Sequence, residues 1–279
     1  MKVFISADIE GVTGMVAWSQ CGRPNSEHFD FRWAREMMTH DINAAIRGCR
    51  AAGATEIVVK DSHGNSKNLL VSDLEDGVSL VSGTGSHVDG MMTGIDDSFD
   101  ACMLVGYHGM AGTLHGIMEH TISGQVHRMW LNGMPAGEIA MSTGLAGHYG
   151  VPLVMVSSDA AGCAEAAALV PGVATAVVKE GYGRYMGRLL HPSVTKGRIE
   201  AAAADGLAKR AGISPWMPSP PVQVKIEFNR SEEADIAEKC VGCTRFDAFT
   251  VEFIASSYHE AHRAARMMIA NASMGASNS

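Results

Sequence analysis

Short apolar runs that alternate with helical segments constrain the fold of this chain more than any other feature of its sequence. The runs have the length and composition of strands that are buried on both faces of a sheet. They occupy residues 3–5, 57–59, 78–81, 102–105, 151–156 and 173–178, and helical patterns at 26–52 and 192–211 are the clearest of those around them. Strands that alternate with helices predict an α/β fold, a mainly parallel sheet with helices on both faces.

Two stretches interrupt this alternation. Residues 125–136 alternate in polarity and contain Asn132-Gly133, a strong indication of a hairpin turn. After residue 213 a Pro/Ser-rich stretch resembles a linker, and two further strands (222–228 and 249–254) are each followed by a helix. We therefore expect an α/β domain at 1–213, carrying the metal-binding catalytic site, and a small α+β C-terminal domain at 214–279.

Charge and composition exclude several classes of protein. The formal net charge of -8 and the lack of a Lys/Arg cluster argue against a nucleic-acid partner. No apolar run reaches the ~20 residues that span a bilayer, so no membrane association is expected. The acidic Asp8 follows the N-terminus too soon for a signal peptide, which favours a cytoplasmic protein. Cys240 and Cys243 have metal-type spacing, but no second pair completes a zinc ribbon.

Metal-competent side chains follow three of the buried strands. Asp8 and Glu10 come directly after the first strand, and alternation places them on one side of the chain. His63 follows the second strand and His108 follows the fourth. Open parallel sheets bind their ligands just beyond the carboxyl ends of the strands, so we expect these four side chains to converge.

Mixed carboxylate and imidazole donors suit Zn, Mn or Fe better than Mg or Ca. Two metals about 3.5–4 Å apart can share Asp8 as a bridging ligand, and Glu138, which opens the next helical segment, can supply a fifth. Each residue also has a structural interpretation: Glu138 can complement a helix dipole, and His63 can be a turn residue beside Asp61, the better backbone cap. Four such residues at three strand ends favour the metal site.

The remaining histidines are weaker candidates. His115, His120 and His127 follow His108 in the loop and hairpin expected to cover the site, and His127 is expected to be exposed. His259 and His262 flank a glutamate but lie three residues apart, whereas the zincin motif needs four. We interpret that segment as a solvated helix face.

Five short motifs occur in the order found in the zinc-dependent D-aminopeptidases, whose type member is the bacterial enzyme of a dipeptide-transport operon. The likeness covers essentially the whole chain. The motifs are Ser6-x-Asp8-x-Glu10-Gly11, Asp61-Ser62-His63, Gly106-Tyr107-His108, Met118-x-His120 and Gly137-Glu138.

This resemblance implies a binuclear zinc site, with two zinc ions per chain and Asp8 as the bridging ligand. It implies five metal ligands in all, namely Asp8, Glu10, His63, His108 and Glu138. It also implies that His120 is catalytic, a residue described in the family as a nucleophile, although His115 lies in the same loop, which is one residue longer here. Family members form homodecameric rings that enclose their active sites, so a homo-oligomer is expected.

The expected function is therefore a zinc-dependent aminopeptidase that releases N-terminal, D-configured amino acids from short peptides. The residues themselves favour general acid/base catalysis or electrostatic stabilisation by His120 over covalent attack, because imidazole titrates near physiological pH. Two alternatives stay open. The same site can act on L-peptides or other amides, or the chain can be a non-catalytic metal- or peptide-binding module that has no need of His120. A haloacid-dehalogenase-like phosphatase fits poorly, since Glu10 stands where that chemistry uses Asp.

Overall fold

The structure, a computed structural model, describes residues 1–21, 30–85 and 88–275. Its strands are β1 (Lys2–Ala7), β2 (Glu56–Asp61), β3 (Ser79–Val81), β4 (Ala101–Val105), β5 (Val126–Leu131), β6 (Met134–Pro135), β7 (Leu153–Asp159), β8 (Ala174–Gly183), β9 (Met186–Leu189), β10 (Val222–Phe228), β11 (Thr244–Arg245) and β12 (Thr250–Ala255). Its α-helices are α1 (Trp18–Cys21), α2 (Phe31–Ala51), α3 (Glu138–His148), α4 (Ala160–Leu169), α5 (Pro192–Lys209), α6 (Ser231–Ala237) and α7 (Tyr258–Gly275).

The larger sheet has seven strands in the order β3-β2-β1-β4-β7-β8-β9. All neighbours are parallel except β8 and β9, which form an antiparallel edge. Every residue of β4 and β7 is buried, as expected for central strands that are covered on both faces. The predicted α/β class is confirmed, and the predicted helix at 26–52 is found from Phe31 onward, residues 26–29 lying outside the described part of the chain.

The strand order reverses between β1 and β4. From β1 the chain proceeds to β2 and β3 on one side, and it then crosses to β4 on the other side of β1. Connections leave these two strands in opposite directions, so a crevice opens beyond their carboxyl ends, which is where open α/β sheets bind ligands. The fold thereby directs the loops after β1 and β4 into one place.

The second sheet is antiparallel, in the order β11-β12-β10-β5-β6. Its hairpin turns at Asn132 (φ 49°) and Gly133 (φ 79°), the conformation that an Asn-Gly hairpin favours, so the predicted hairpin is confirmed. β5 pairs with β10, and the hairpin therefore joins the C-terminal strands in one sheet. The division into domains at residues 213 and 214 stays a prediction.

Close helix packing on the larger sheet depends on small residues. At Gly48 in α2 an added Cβ would lie 2.4 Å from the carbonyl oxygen of Glu200 in α5. At Gly206 in α5 it would lie 2.3 Å from the carbonyl oxygen of Val154 in β7. Only the missing side chains allow α2, α5 and the sheet to approach so closely. Among the described helices, none is both long enough and apolar enough to cross a membrane.

The interpretation of the His259–His262 segment as a solvated face is wrong. His262 is 4% exposed, because it lies on the inner face of α7 beside Tyr258, Ala265 and Ile269, at helical spacing. His259 is partly exposed, and its Nε2 lies 2.8 Å from Oδ1 of Asp89. Burial, followed by the charges of Arg266 and His259, lowers the pKa of His262 to about 3.

The pKa of His262 predicts acid sensitivity. Between pH 6.5 and 3 the unfolded chain protonates this imidazole while the folded chain does not, so stability falls as the pH falls. At pH 5 this effect amounts to about 2 kcal/mol, taking an unfolded pKa of about 6.5. We measure the free energy of unfolding by urea denaturation at pH 7.5 and at pH 5. We expect its decrease between these two pH values to be about 2 kcal/mol smaller in His262→Gln than in wild type. The exposed His127→Gln is the control, and identical pH dependence in all three proteins would contradict the prediction.

Candidate metal centre

The loops after β1 and β4 touch at a glycine. The amide of Gly11 donates a 2.7 Å hydrogen bond to the carbonyl oxygen of Gly106. A Cβ at Gly11 would lie 1.6 Å from the carbonyl oxygen of Tyr107, so no other residue fits without moving one loop. This close approach brings Asp8 and Glu10, which shortly precede Gly11 on one loop, to His108 on the other.

A buried lysine holds the loop after β1 in place. Lys179, in β8, is 1% exposed, and its Nζ donates to the carbonyl oxygens of Glu10 (2.6 Å), Val12 (3.0 Å) and Met15 (2.7 Å). The ammonium uses all three of its donors on backbone acceptors of a single loop. Burial lowers its pKa to about 8, against the favourable charges of Asp159, Asp41 and Glu10.

The turn after β2 places His63 over both carboxylates of the first loop. Its Nδ1 lies 3.1 Å from Oε1 of Glu10 and 3.4 Å from Oδ1 of Asp8. The turn itself is fixed by Asp61, whose carboxylate accepts from the amides of Asn68 (2.6 Å) and Leu69 (2.8 Å). Asp61 is thus the backbone cap that the sequence predicts, which leaves His63 available as a ligand.

Glu138 and two histidines complete the cluster. Nε2 of His108 lies 3.4 Å from Oε2 of Glu138 and 3.5 Å from Oδ2 of Asp8. Nε2 of His120 lies 3.5 Å from Oε1 of Glu138. Glu138 is the first residue of α3, as predicted, and accepts from the amide of Ile122 at 2.6 Å. All six residues singled out from the sequence therefore lie around one point in the structure.

Backbone carbonyls set the tautomers of two histidines. Nδ1 of His108 lies 3.0 Å from the carbonyl oxygen of Gly109, and Nδ1 of His120 lies 2.9 Å from that of Met118. A carbonyl only accepts, so each Nδ1 carries a proton and each Nε2 is the ring nitrogen that faces the carboxylates. The two rings stack with centroids 4.1 Å apart. Orientation through the second ring nitrogen is typical of metal-binding histidines.

The cluster has the properties of a cation site. Candidate ligand atoms of Asp8, Glu10 and His108 lie within 4.8 Å of one another, as do those of His108, His120 and Glu138. Within the described residues, Oδ2 of Asp8 and Nε2 of His108 are buried and have no hydrogen-bond partner. Burial and the neighbouring Glu10 raise the pKa of Asp8 to about 8, a sign of excess negative charge. The residues present fit one or two divalent cations with N/O ligands.

Charges within the cluster divide its histidines into two kinds. Burial by itself would lower the pKa of both His63 and His108. The charge of Glu10 nevertheless holds the pKa of His63 well above its usual value, and the charge of Glu138 does the same for His108. Burial would raise the pKa of Glu10, but His63 holds it well below. His120 differs, because burial and the stacked His108 outweigh Glu138 and lower its pKa. Of these imidazoles, His120 is the one kept neutral near pH 7.

A cavity of about 1090 Å³ opens onto the cluster. It contains residues that sequence reasoning missed. Cys21 in α1 has its sulfur within 4.8 Å of ligand atoms of Glu10 and His63, and Trp18 packs edge-on against His120 at 4.9 Å. Neither belongs to a recognisable motif, so the sequence offers no indication of them. His115 is exposed and does not line this cavity, and His127 is exposed as predicted.

Comparisons with known proteins relate nearly the whole chain to D-aminopeptidases. Residues 1–267 match the model of the peptidase M55 family, described as D-aminopeptidase. A curated D-aminopeptidase of Bacillus subtilis (strain 168) is 31% identical over 271 residues, which cover 96% of each protein. Among solved structures, the Zn-dependent D-aminopeptidase DppA from Bacillus subtilis, described as a self-compartmentalizing protease, superposes with a TM-score of 0.93. It is 31% identical to this chain, and the match covers 98% of both.

The role of Lys179 can be tested by substitution. In Lys179→Met three buried carbonyl oxygens lose their donor, so the loop that carries Asp8 and Glu10 loosens. We expect the divalent-cation affinity of the cluster to fall about 10- to 100-fold, as it does when supporting groups of metal sites are removed, measured by competition with a chromogenic chelator. Lys209→Met, which removes an exposed ammonium paired with Asp205, is the control. An unchanged divalent-cation affinity in Lys179→Met would show that Lys179 does not support the loop that carries Asp8 and Glu10.

Proposed function

The chain belongs to the D-aminopeptidase family of peptidases, and on this basis we propose that it releases N-terminal D-amino acids from short peptides at a binuclear zinc site. It is a zinc-dependent metallopeptidase of the aminopeptidase type. The proposal rests above all on one observation, the convergence of three carboxylates and three imidazoles in one cluster, five of which line a single cavity. A module that only binds peptides has no need of such a cluster.

We assign the metal ligands as Asp8, Glu10, His63, His108 and Glu138. Glu10 and His63 lie on one side of Asp8, and His108 and Glu138 lie on the other, since each histidine contacts Asp8 through a different carboxylate oxygen. This supports two cation positions with Asp8 between them. Bound zinc would polarise the scissile carbonyl and lower the pKa of a nearby water molecule towards neutrality.

His120 is proposed as the general base and acid. Its lowered pKa leaves Nε2 unprotonated at neutral pH, so this nitrogen can accept a proton from the attacking water. The same nitrogen, once protonated, can pass the proton to the departing amine. The bond to Met118 and the stacking on His108 keep the ring fixed while this happens. Covalent attack by His120 is not needed for this sequence of steps.

The finer properties are proposals of the same kind. Preference for D-residues is supported by the names of the two Bacillus relatives, and action on L-peptides or other amides remains the competing proposal. Assembly into a homo-oligomer, a decamer by resemblance, is supported by the self-compartmentalizing relative. Exposed apolar residues on β8 and β9, Tyr182 and Met186 among them, also support it. The cytoplasmic location stays a prediction from the sequence.

Metal content and paired substrates test the proposal directly. We expect about two zinc ions per chain by elemental analysis, and turnover of D-alanine p-nitroanilide but not of its L-enantiomer. Dialysis against a chelator should abolish turnover, and added zinc should restore it. Turnover of the L-substrate with two zinc ions bound would overturn the stereochemical proposal alone. A protein that binds no zinc or manganese would refute the metal centre.

Substitution of His120 separates catalysis from metal binding. We expect His120→Ala to keep its zinc while kcat falls at least about 100-fold, because proton transfer by a positioned side chain contributes roughly 10²- to 10⁴-fold. His115→Asn, at an exposed position with φ 60°, is the control and should retain wild-type turnover. Loss of zinc in His120→Ala would make His120 a ligand instead, and full activity would remove it from the mechanism.

A further inference from the structure

A second group of charges, opposite in sign to the metal cluster, lines the same cavity. It includes Lys60, at the end of β2, and Arg266, in α7, whereas the third cation of the lining, Arg184, is paired with Glu119. Asp8, Glu10 and Glu138 line that cavity as well. The proposed chemistry uses the acidic residues and leaves the two cations without a role. Cations that line the cavity of the metal cluster without pairing with its carboxylates point to a ligand that carries an anionic group.

The structure builds a defined position for Arg266. Gly90 has φ 55°, and a Cβ there would lie 2.2 Å from Cζ of Arg266, so the guanidinium packs directly on the glycine backbone. The turn at Gly90 is fixed by Ser62, whose Oγ donates to the carbonyl oxygen of Met91 at 2.7 Å. Asp89, which precedes Gly90, contacts His259. His259 lies two helical turns before Arg266, on the same face of α7. These contacts hold the guanidinium against the cavity wall.

The guanidinium of Arg266 has no acceptor of its own. Within residues 1–21, 30–85 and 88–275 it forms no hydrogen bond or ion pair, and the largest favourable charge acting on it is that of Glu138. The oxygens of Glu138 already contact His108, His120 and the Ile122 amide. Burial lowers the pKa of Arg266. A guanidinium with five donors and no partner in a partly buried site is costly unless an anion binds there.

Lys60, like Arg266, has a hydrogen-bond donor that no group among the described residues uses. Its Nζ donates to the hydroxyl of Ser66 at 2.9 Å and to the carbonyl oxygen of Asp61, and an ammonium has a third donor. The carboxylate of Asp61 is already engaged by Asn68 and Leu69. Burial lowers the pKa of Lys60, the charge of Asp61 opposes this, and the charge of Arg266, which lines the same cavity, adds to it. One anion between them would satisfy both.

We propose that Lys60 and Arg266 form a subsite that binds the C-terminal carboxylate of a short peptide substrate. This inference rests on the proposed aminopeptidase function, and it defines the substrate as a zwitterion of a few residues. The N-terminal residue of such a peptide belongs at the metal cluster, where the scissile amide is cleaved, and its C-terminal carboxylate belongs at the two cations. The volume of about 1090 Å³ suits a small peptide and not a long chain.

Two substrates that differ only at the C-terminus test the subsite. They are D-alanyl-D-alanine and D-alanyl-D-alanine amide, and the measured quantity is the ratio of their kcat/KM values in zinc-loaded protein. We expect wild type to favour the free carboxylate by at least about tenfold, equivalent to about 1.4 kcal/mol. In Arg266→Gln and in Lys60→Gln this ratio should fall towards 1. Because both substrates are measured on one preparation, the folded fraction of a variant cancels.

Further variants distinguish charge from structure. Gly90→Ala keeps the guanidinium of Arg266 but displaces it, so the kcat/KM ratio should also fall in this variant. Arg266→Lys keeps a positive charge and should retain part of the wild-type preference for the free carboxylate. Arg263→Gln, on the exposed face of α7, is the control and should keep the wild-type ratio. A site for a free anion such as phosphate would affect both substrates equally, so an unchanged ratio in Arg266→Gln and Lys60→Gln would overturn the proposal.

Failure of the subsite is separable from failure of the enzyme. If wild type hydrolyses both substrates with equal kcat/KM, the aminopeptidase function stands and the carboxylate subsite is refuted. If zinc-loaded wild type hydrolyses neither of them, nor D-alanine p-nitroanilide, the proposed function itself fails and the subsite fails with it.

Discussion

The burial of three carboxylates at one point, those of Asp8, Glu10 and Glu138, is the constraint on which the rest of this structure depends. Each is at most 3% exposed, and charged groups so placed are stable only with paired charges or a bound cation. His63 and His108 supply part of that compensation, yet the pKa of Asp8 is still raised to about 8. The missing side chain of Gly11 and the ammonium of Lys179 serve to hold this unfavourable cluster together, and a divalent cation completes it.

The same electrostatic field gives chemically similar side chains different roles. His63 and His108 each face carboxylates and are drawn towards the charged form, as ligands beside a cation site are before the metal competes with the proton. His120 is buried and stacked on His108, and burial together with the charge of His108 lowers the pKa of its ring. A neutral imidazole with a fixed tautomer can take up a proton and return it, which the ligands cannot do while they bind metal.

The two sheets contribute different parts of one cavity. The crevice at β1 and β4 supplies most of the proposed metal ligands, whereas α7, which packs on the antiparallel sheet, supplies Arg266. The pairing of β5 with β10 connects the two parts, because the hairpin that follows the His120 loop becomes a strand of the second sheet. The C-terminal segment is therefore a wall of the site, and its Arg266 adds to the positive charge that Lys60 brings from β2.

The sequence by itself determined the parallel sheet, the hairpin at Asn132-Gly133 and the group of residues around the metal centre. These are local properties: apolar runs of strand length, a turn dipeptide, and polar residues that directly follow strands whose carboxyl ends share an edge. Only the tertiary structure decided the roles of Cys21, Lys179, His262 and Arg266. A lysine in β8 or an arginine in α7 has the same local pattern whether it faces solvent or a cavity, and its role depends on atoms more than a hundred residues away. The solvated-face interpretation of His262 was wrong for this reason, since spacing identifies a helix but packing selects the face that it buries.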